Sequence, residues 1–150
     1  MNRLDGAWQG ALAAEHQAVF GYGLVGVRLS GAERQLAVTF SAAHADLRDS
    51  QQTAIAAAGL TPVVTEADYP SLYPVGDALA ARHVAVRIED ACAAAWRYLY
   101  AQATASAGTR AAALRPAAQQ ELTASAVRAT RWRVLVNPAQ ATTAFPGLPE

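Results

Sequence analysis

Two glutamates and one histidine stand where the surrounding pattern predicts a buried side chain. Glu15 follows Leu12 by three residues and precedes Val19 by four, within the run ALAAEHQAV, so it lies on the apolar line of its own segment. Glu89 has only small or apolar neighbours at the same spacings, and His44 stands beside the apolar line of another segment. A buried carboxylate needs a proton, a cationic partner or a metal ion. The three residues therefore predict a polar cluster in the protein interior.

Inward-facing carboxylates with a histidine could ligate iron or manganese. Di-metal carboxylate centres in helical bundles take one glutamate from each of two helices and a Glu-x-x-His motif from each of the other two. Glu15 and Glu89 suit the two single glutamates, but Ser41 stands three residues before His44, where the motif requires glutamate. The last long segment contains no histidine. Glu15, His44 and Glu89 are thus the metal-ligand candidates, about half of the six side chains that such a centre uses.

Two other arrangements would also account for the glutamates. Arg128 could bridge Glu15 and Glu89, because its planar guanidinium binds carboxylates at two points and tolerates poorly solvated surroundings. Alternatively, a different rotation of one helix would expose one glutamate. Since most of the metal ligands are missing, the sequence favours an arginine-bridged or water-filled cluster of Glu15, His44, Glu89 and Arg128 over a surviving metal site.

Four long amphipathic segments must position these residues. Apolar residues recur at three- and four-residue spacings over 4–29, 36–58, 81–99 and 122–136, which is the helical period. No alternating pattern typical of a strand competes with them.

The ends of the segments carry recognisable helix signals. The stretch Ser30-Gly31-Ala32-Glu33 predicts a capping box at the start of the second helix, and Gly59 predicts its end. Asp77 is placed to cap the third helix, and Pro116 is predicted as the first residue of the fourth. Asn137-Pro138 then stops the fourth helix.

A proline-rich stretch separates the second and third helices. Thr61-Pro62, Tyr69-Pro70 and Tyr73-Pro74 disfavour regular structure, and the segment is long enough to cross the length of a bundle. Two short connections and one long one predict an all-α fold, a ferritin-like four-helix bundle with one long crossover between helices 2 and 3. We expect a single domain over residues 1–150 that ends in a C-terminal tail.

Five segments support a resemblance that covers almost the whole chain: ALAAEHQAVFGYGLVGVRL, YPVGDA, RIEDACAAAWRYL, SAVRATRWRVL and TTAFPGLP. With these segments the sequence resembles the small, alanine-rich ferritin-like domains of uncharacterised actinobacterial proteins, a family of unknown function. The resemblance implies a ferritin-like bundle without an established activity, and it transfers no catalytic residues.

Composition and charge narrow the class of protein. A net charge of zero offers no electrostatic basis for binding nucleic acid or an anionic membrane. The uncharged run from His16 to Val27 is too short to span a bilayer, and His16 itself is predicted on the rim or at the surface. The single cysteine, Cys92, excludes an internal disulfide and is interpreted as a small buried hydrophobe. Since the start of the chain lacks the order of a signal peptide, we expect a cytoplasmic protein.

The predicted function is a binding or interaction module, not an enzyme, that has lost most di-metal ligands and carries no cofactor. We also expect a homodimer, because charged residues make up only 16% of the chain and leave apolar surface to cover. The alternative is an oxidase-like protein that binds iron or manganese through a reduced site at Glu15, His44 and Glu89. The three tryptophans are interpreted as core anchors.

Overall fold

A computed structural model describes residues 2–148, and four long helices account for most of them. They are α1 (Arg3–Gly26), α2 (Gly31–Ala57), α3 (Ala78–Ala105) and α4 (Thr109–Val136), with short 3-10 turns at Pro70–Leu72 and Pro138–Gln140. No strand occurs within this part of the chain. The predicted all-α four-helix architecture is confirmed; the two ends of the predicted 1–150 domain lie outside the described residues.

Helix α1 has two of the other long helices as its main packing neighbours. It packs against both α2 and α3, and α3 packs in turn against α4. Trp8, near the start of α1, donates from its indole to Gln51, near the end of α2. Helices α1 and α2 therefore run antiparallel, as a short hairpin connection requires. At Gly21 the contact between α1 and α3 is close: a Cβ atom there would lie 2.5 Å from Cδ1 of Ile88.

The long crossover between α2 and α3 covers the outer side of α1. Gln9 binds it at two points, donating to the carbonyl of Thr61 and accepting from the backbone amide of Val63, both at 2.8 Å. His16 lies beneath the same segment, with Nε2 3.0 Å from the carbonyl oxygen of Val63. The prediction that His16 is a rim or surface residue is therefore wrong, because the crossover buries this side of the helix.

Two of the predicted helix ends are confirmed. Asp77 caps α3 by accepting a hydrogen bond from the amide of Ala80 at 2.8 Å. After α2, Gly59 adopts a positive φ of 78°. The amide of Leu60 donates to the carbonyl of Ile55 and that of Gly59 to Ala56, which is a Schellman motif.

Helix α2 starts at the predicted position but lacks the predicted capping box. Helix α2 begins after Ser30, but that side chain makes no capping hydrogen bond. Glu33, the other half of the expected capping box, instead binds Arg82 of α3 at 2.8 and 2.9 Å.

Pro116 lies inside α4 instead of opening it. The residues before it are helical because Ala111 and Leu114 are buried in the core, and this packing stabilises the turns on the N-terminal side of the proline. The helix therefore starts at Thr109, where Gly108 is the preceding residue.

Burial is uneven among the helices. Twelve residues of α1 are buried, whereas α2 buries only Ala37, Phe40, His44 and Ile55 along 27 residues. None of the helices in residues 2–148 is long and apolar enough to cross a membrane.

Candidate functional site: a buried charge cluster

The structure brings the three candidate residues from α1, α2 and α3 into direct contact. The imidazole of His44 lies between the two carboxylates, with Nδ1 2.6 Å from Oε2 of Glu15 and Nε2 3.1 Å from Oε1 of Glu89. All three side chains are 0% exposed. One ring therefore connects the two glutamates across the interior of the bundle.

Arg128 of α4 completes the cluster from the other side. Its Nε donates to Oε2 of Glu89 at 2.9 Å, and one terminal nitrogen donates to the hydroxyl of Ser125 at 3.1 Å. Arg128 was predicted to bridge both glutamates, and this prediction is wrong. In the structure Arg128 binds Glu89, and His44 is the cation that bridges the two glutamates. The reason is the packing order, since α1 lies against α2 and α3, whereas α4 packs against α3.

Three aromatic side chains supply the remaining hydrogen bonds. The indole of Trp96 donates to Oε1 of Glu15 at 2.7 Å, and the hydroxyl of Tyr22 donates to Oε1 of Glu89 at 2.5 Å. Trp132 in turn donates to the Tyr22 oxygen at 2.8 Å. Every carboxylate oxygen of the two glutamates thus has a partner, as buried ionised groups require.

The sequence interpretation of the tryptophans was incomplete. Trp96 and Trp132 are fully buried, as core anchors are, but each also uses its indole N–H within the cluster. A buried tryptophan usually has a hydrogen-bond acceptor for that group. Trp96 follows Glu89 by two helical turns and therefore lies on the same face of the helix. This spacing is the sequence signal that could have placed Trp96 near the cluster.

His44 carries the proton that balances the cluster. Burial by itself lowers the pKa of His44, but the hydrogen bonds and negative charges of Glu15 and Glu89 together outweigh it and raise the pKa from 6.5 to about 9. His44 is therefore an imidazolium at neutral pH. Two carboxylates then face one imidazolium and one guanidinium, so the cluster has no net charge.

The neighbouring hydroxyl and thiol remain neutral. Burial, followed by the charge of Glu89, raises the pKa of Tyr22 well above its usual value. Burial and then the charges of Glu15 and Glu89 raise the pKa of the Cys92 thiol in the same direction. Cys92 is fully buried, and its Sγ donates to the carbonyl of Ala14 at 3.6 Å. A protonated, enclosed thiol is not a nucleophile.

The residues present do not fit a di-metal carboxylate centre. Ser125 and Arg128 stand on α4 at the spacing where a Glu-x-x-His motif would supply two ligands, and Ser41 takes the place of glutamate on α2. The guanidinium brings a fixed positive charge to the position of a ligand, and arginine is protonated at any physiological pH. Both nitrogens of His44 are already occupied by carboxylates. The cluster therefore takes its positive charge from the side chains of His44 and Arg128.

A surface groove lies beside the cluster. This groove of about 420 Å³ lies between α1 and α2, and Tyr22 and Ser41 are among its lining residues. Tyr22 itself is only 2% exposed, so its ring separates the groove from Glu89.

Two solved structures share this fold. A conserved hypothetical protein from Mycobacterium tuberculosis is 33% identical, with a TM-score of 0.80 and coverage of 90% of this chain and 98% of that chain. A protein from Bacillus anthracis str. Ames, described as a ferritin-like, diiron-carboxylate protein, is 16% identical, with a TM-score of 0.76 and coverage of 91% and 100%. No curated protein matches the chain.

The ferritin-like fold predicted from the sequence is thereby confirmed. The resemblance to a ferritin-like family of unknown function is also confirmed, while the actinobacterial and alanine-rich character of its members stays a prediction. The family described as a domain of unknown function (DUF4439) matches residues 7–150, and the chain belongs to that family.

Proposed function

We propose that this protein is a non-enzymatic ferritin-like bundle in which a neutral charge cluster stands in place of a di-metal centre, and that it acts in the cytoplasm as a binding or interaction module. The observation that carries the proposal is His44, whose two ring nitrogens contact Glu15 and Glu89 in the core. A metal ion in such a bundle holds carboxylates from several helices together. Here an imidazolium and a guanidinium provide the positive charge instead.

The enclosure of the cluster also supports a role other than catalysis. A general acid or base must reach the proton that it transfers, either directly or through one water molecule. Glu15, His44 and Glu89 are each 0% exposed and hydrogen-bonded to one another or to aromatic side chains. These contacts stabilise the fold of the protein itself.

Elemental analysis tests this proposal directly. Protein purified without chelators is expected to contain iron and manganese far below one atom per chain. The contradicting result is stoichiometric iron or manganese that disappears in Glu15→Ala but persists in Glu66→Ala, a matched substitution at an exposed glutamate of the crossover.

That contradicting result would support the second candidate function, an oxidase-like protein with iron or manganese at Glu15, His44 and Glu89. The observation in its favour is that three ligand-type side chains from three helices converge on one point. The Bacillus anthracis protein is described as a diiron-carboxylate protein, but at 16% identity the likeness extends to the fold alone.

We propose further that two copies of the chain associate through the α1–α2 face, by which we mean the surface around Gly23, Gly26, Val27, Val38 and Ala42. Val27 and Val38 are 71% and 53% exposed. The small residues between them form the groove described above, so a side chain of a second copy could enter it. A two-fold dimer would place this face against itself and bury both valines twice.

Light scattering at micromolar concentration checks this association. The wild-type chain is expected to have twice the mass of one 15.7 kDa chain, and Val38→Glu is expected to reduce it to one. Val64→Glu, at a valine of the crossover that is 76% exposed, should leave the dimer intact. A wild-type mass of 15.7 kDa would refute the dimer.

A further inference from the structure

Cys92 adds a third kind of donor atom to one side of the charge cluster. Glu15, His44 and Cys92 each offer one ligand atom, and these atoms all lie within 4.8 Å of one another. The three residues come from α1, α2 and α3, and all are buried. A carboxylate, an imidazole and a thiol together form a different donor set from the carboxylate-rich one of a di-iron protein.

We propose that Glu15, His44 and Cys92 form a binding site for one soft divalent cation of the Zn²⁺ or Cd²⁺ class. Thiolate and imidazole ligands select such ions over hard cations, and zinc sites are built from cysteine, histidine and carboxylate donors. Zn²⁺ holds these ligands at about 2.0–2.3 Å, so the donor atoms of an occupied site lie roughly 3–4 Å apart. The present separations need only small movements of side chains.

The hydrogen bonds already present around the ligands are those of a supported metal site. Ligating histidines usually donate their other ring N–H to a carboxylate, which orients the ring. Nδ1 of His44 faces Glu15, and Nε2 faces Glu89. The second oxygen of Glu15 accepts from Trp96, which orients that carboxylate in the same manner.

Charge balance permits the exchange of protons for a cation. Binding breaks the Sγ–H bond of Cys92 and the Nδ1–H bond of the His44 imidazolium, and both protons go to solvent. Metal–sulfur and metal–nitrogen bonds form in their place, while Nε2 keeps its proton toward Glu89. Two positive charges leave and two enter, so the buried cluster stays neutral together with Arg128.

Helix α2, which carries His44, buries the fewest side chains of the four long helices. Since α2 buries only four side chains along 27 residues, a small shift of this helix would open the contact between His44 and Glu15. The site would then open into the groove between α1 and α2, which Ser41 and Tyr22 help to line.

Cobalt titration provides a specific test, because the chain contains a single cysteine. Co²⁺ bound to a thiolate gives a near-ultraviolet sulfur-to-metal charge-transfer band, which carboxylate or imidazole ligands do not give. We expect this band to saturate at one Co²⁺ per chain and to be abolished by Zn²⁺ or Cd²⁺. Circular dichroism of each variant verifies that it retains the helical fold.

Three variants distinguish the proposed metal ligands from residues that only surround the site. Cys92→Ser is expected to remove the band and to weaken Cd²⁺ binding by more than about 100-fold, because the loss of an outer hydrogen-bond partner alone weakens metal sites by about 10–100-fold. Glu89→Gln is expected to keep the band with binding weakened within that 10–100-fold range. His83→Gln, at an exposed histidine of α3, should bind as the wild type does.

Several outcomes would overturn this inference. They are the absence of Co²⁺ and Cd²⁺ binding to the folded chain, binding without the thiolate band, and unchanged binding in Cys92→Ser. None of them bears on the proposal, in the previous subsection, of a module without an iron or manganese centre. That proposal fails only if the purified protein contains stoichiometric iron or manganese at Glu15.

Discussion

Replacing His44 by glutamine is expected to lower the free energy of unfolding at pH 7 by about 3–5 kcal/mol, the usual effect of breaking a buried ion pair by removing one partner. The imidazolium contacts both Glu15 and Glu89, and its side chain is fully buried. Without it, Arg128 still binds Glu89, but Glu15 loses the cation that contacts it. Glutamine is similar in size but donates only from its amide nitrogen, so the loss combines the missing charge with the loss of one donor position.

The pH dependence of the same variant identifies the proton. The pKa of His44 is about 9 in the folded protein and 6.5 for a free histidine, as in the unfolded chain, so the folded state binds the proton more tightly. Its contribution to stability is complete below pH 6.5 and is lost as the pH rises through 9. That difference corresponds to about 3 kcal/mol at most. The stability gap between wild type and His44→Gln should therefore narrow between neutral and alkaline pH.

Urea denaturation at a series of pH values measures both effects. His83→Gln is the matched control, because His83 is exposed and its replacement should change stability by less than about 0.5 kcal/mol at every pH. If His44→Gln unfolds at the same urea concentration as the wild type at pH 7, the histidine bridge does not stabilise the fold.

Replacing Arg128 by methionine is expected to lower the free energy of unfolding by about 3 kcal/mol, the lower end of the range for a broken buried pair. The Arg128 side chain is 12% exposed, whereas its partner Glu89 is fully buried. Methionine keeps the packing of the aliphatic part of the side chain and removes the charge and both hydrogen bonds.

Arg131 provides the control for Arg128→Met on the same helix. Both guanidiniums lie 6.0 Å from the centroid of the Phe40 ring, but only Arg128 hydrogen-bonds to Glu89. Arg131→Met therefore removes the cation–π contact alone and should cost about 1 kcal/mol or less.

A double-mutant cycle isolates the Arg128–Glu89 pair. Glu89→Gln removes the charge that Arg128 neutralises, so the combined variant should be more stable than the sum of the two single losses predicts. Strict additivity in thermal or urea unfolding would mean that the two side chains do not interact energetically, in spite of their 2.9 Å contact.

The fold was predictable because its signals are local. Helical periodicity and the prolines of the crossover are read within short windows of sequence, and so are end signals such as Asp77 and Gly59. The start of α4 was missed because burial of Ala111 and Leu114 outweighs the usual placement of a proline at a helix start. That burial is a property of the assembled bundle and is not visible in a window around Pro116.

The members of the cluster could be named from sequence, but their pairing could not. Glu15 and Glu89 were identifiable because each interrupts an apolar stripe. Whether Arg128 or His44 bridges them depends on the order and rotation of four packed helices. The burial of His16 under the crossover was inaccessible for the same reason, since it depends on where a chain segment without periodicity comes to rest.

The sparse burial of α2 has a consequence for the register of the bundle. Rows of alanine side chains form a helix surface with little relief. A helix that buries little beyond Ala37, Phe40 and Ile55 could therefore slide by one turn along α1 with a modest loss of apolar contact. His44 removes that freedom. A slide of one turn moves the ring about 5.4 Å and leaves two carboxylates in the core without their shared cation. The buried charges thus select one alignment among several that alanine packing alone would leave close in energy.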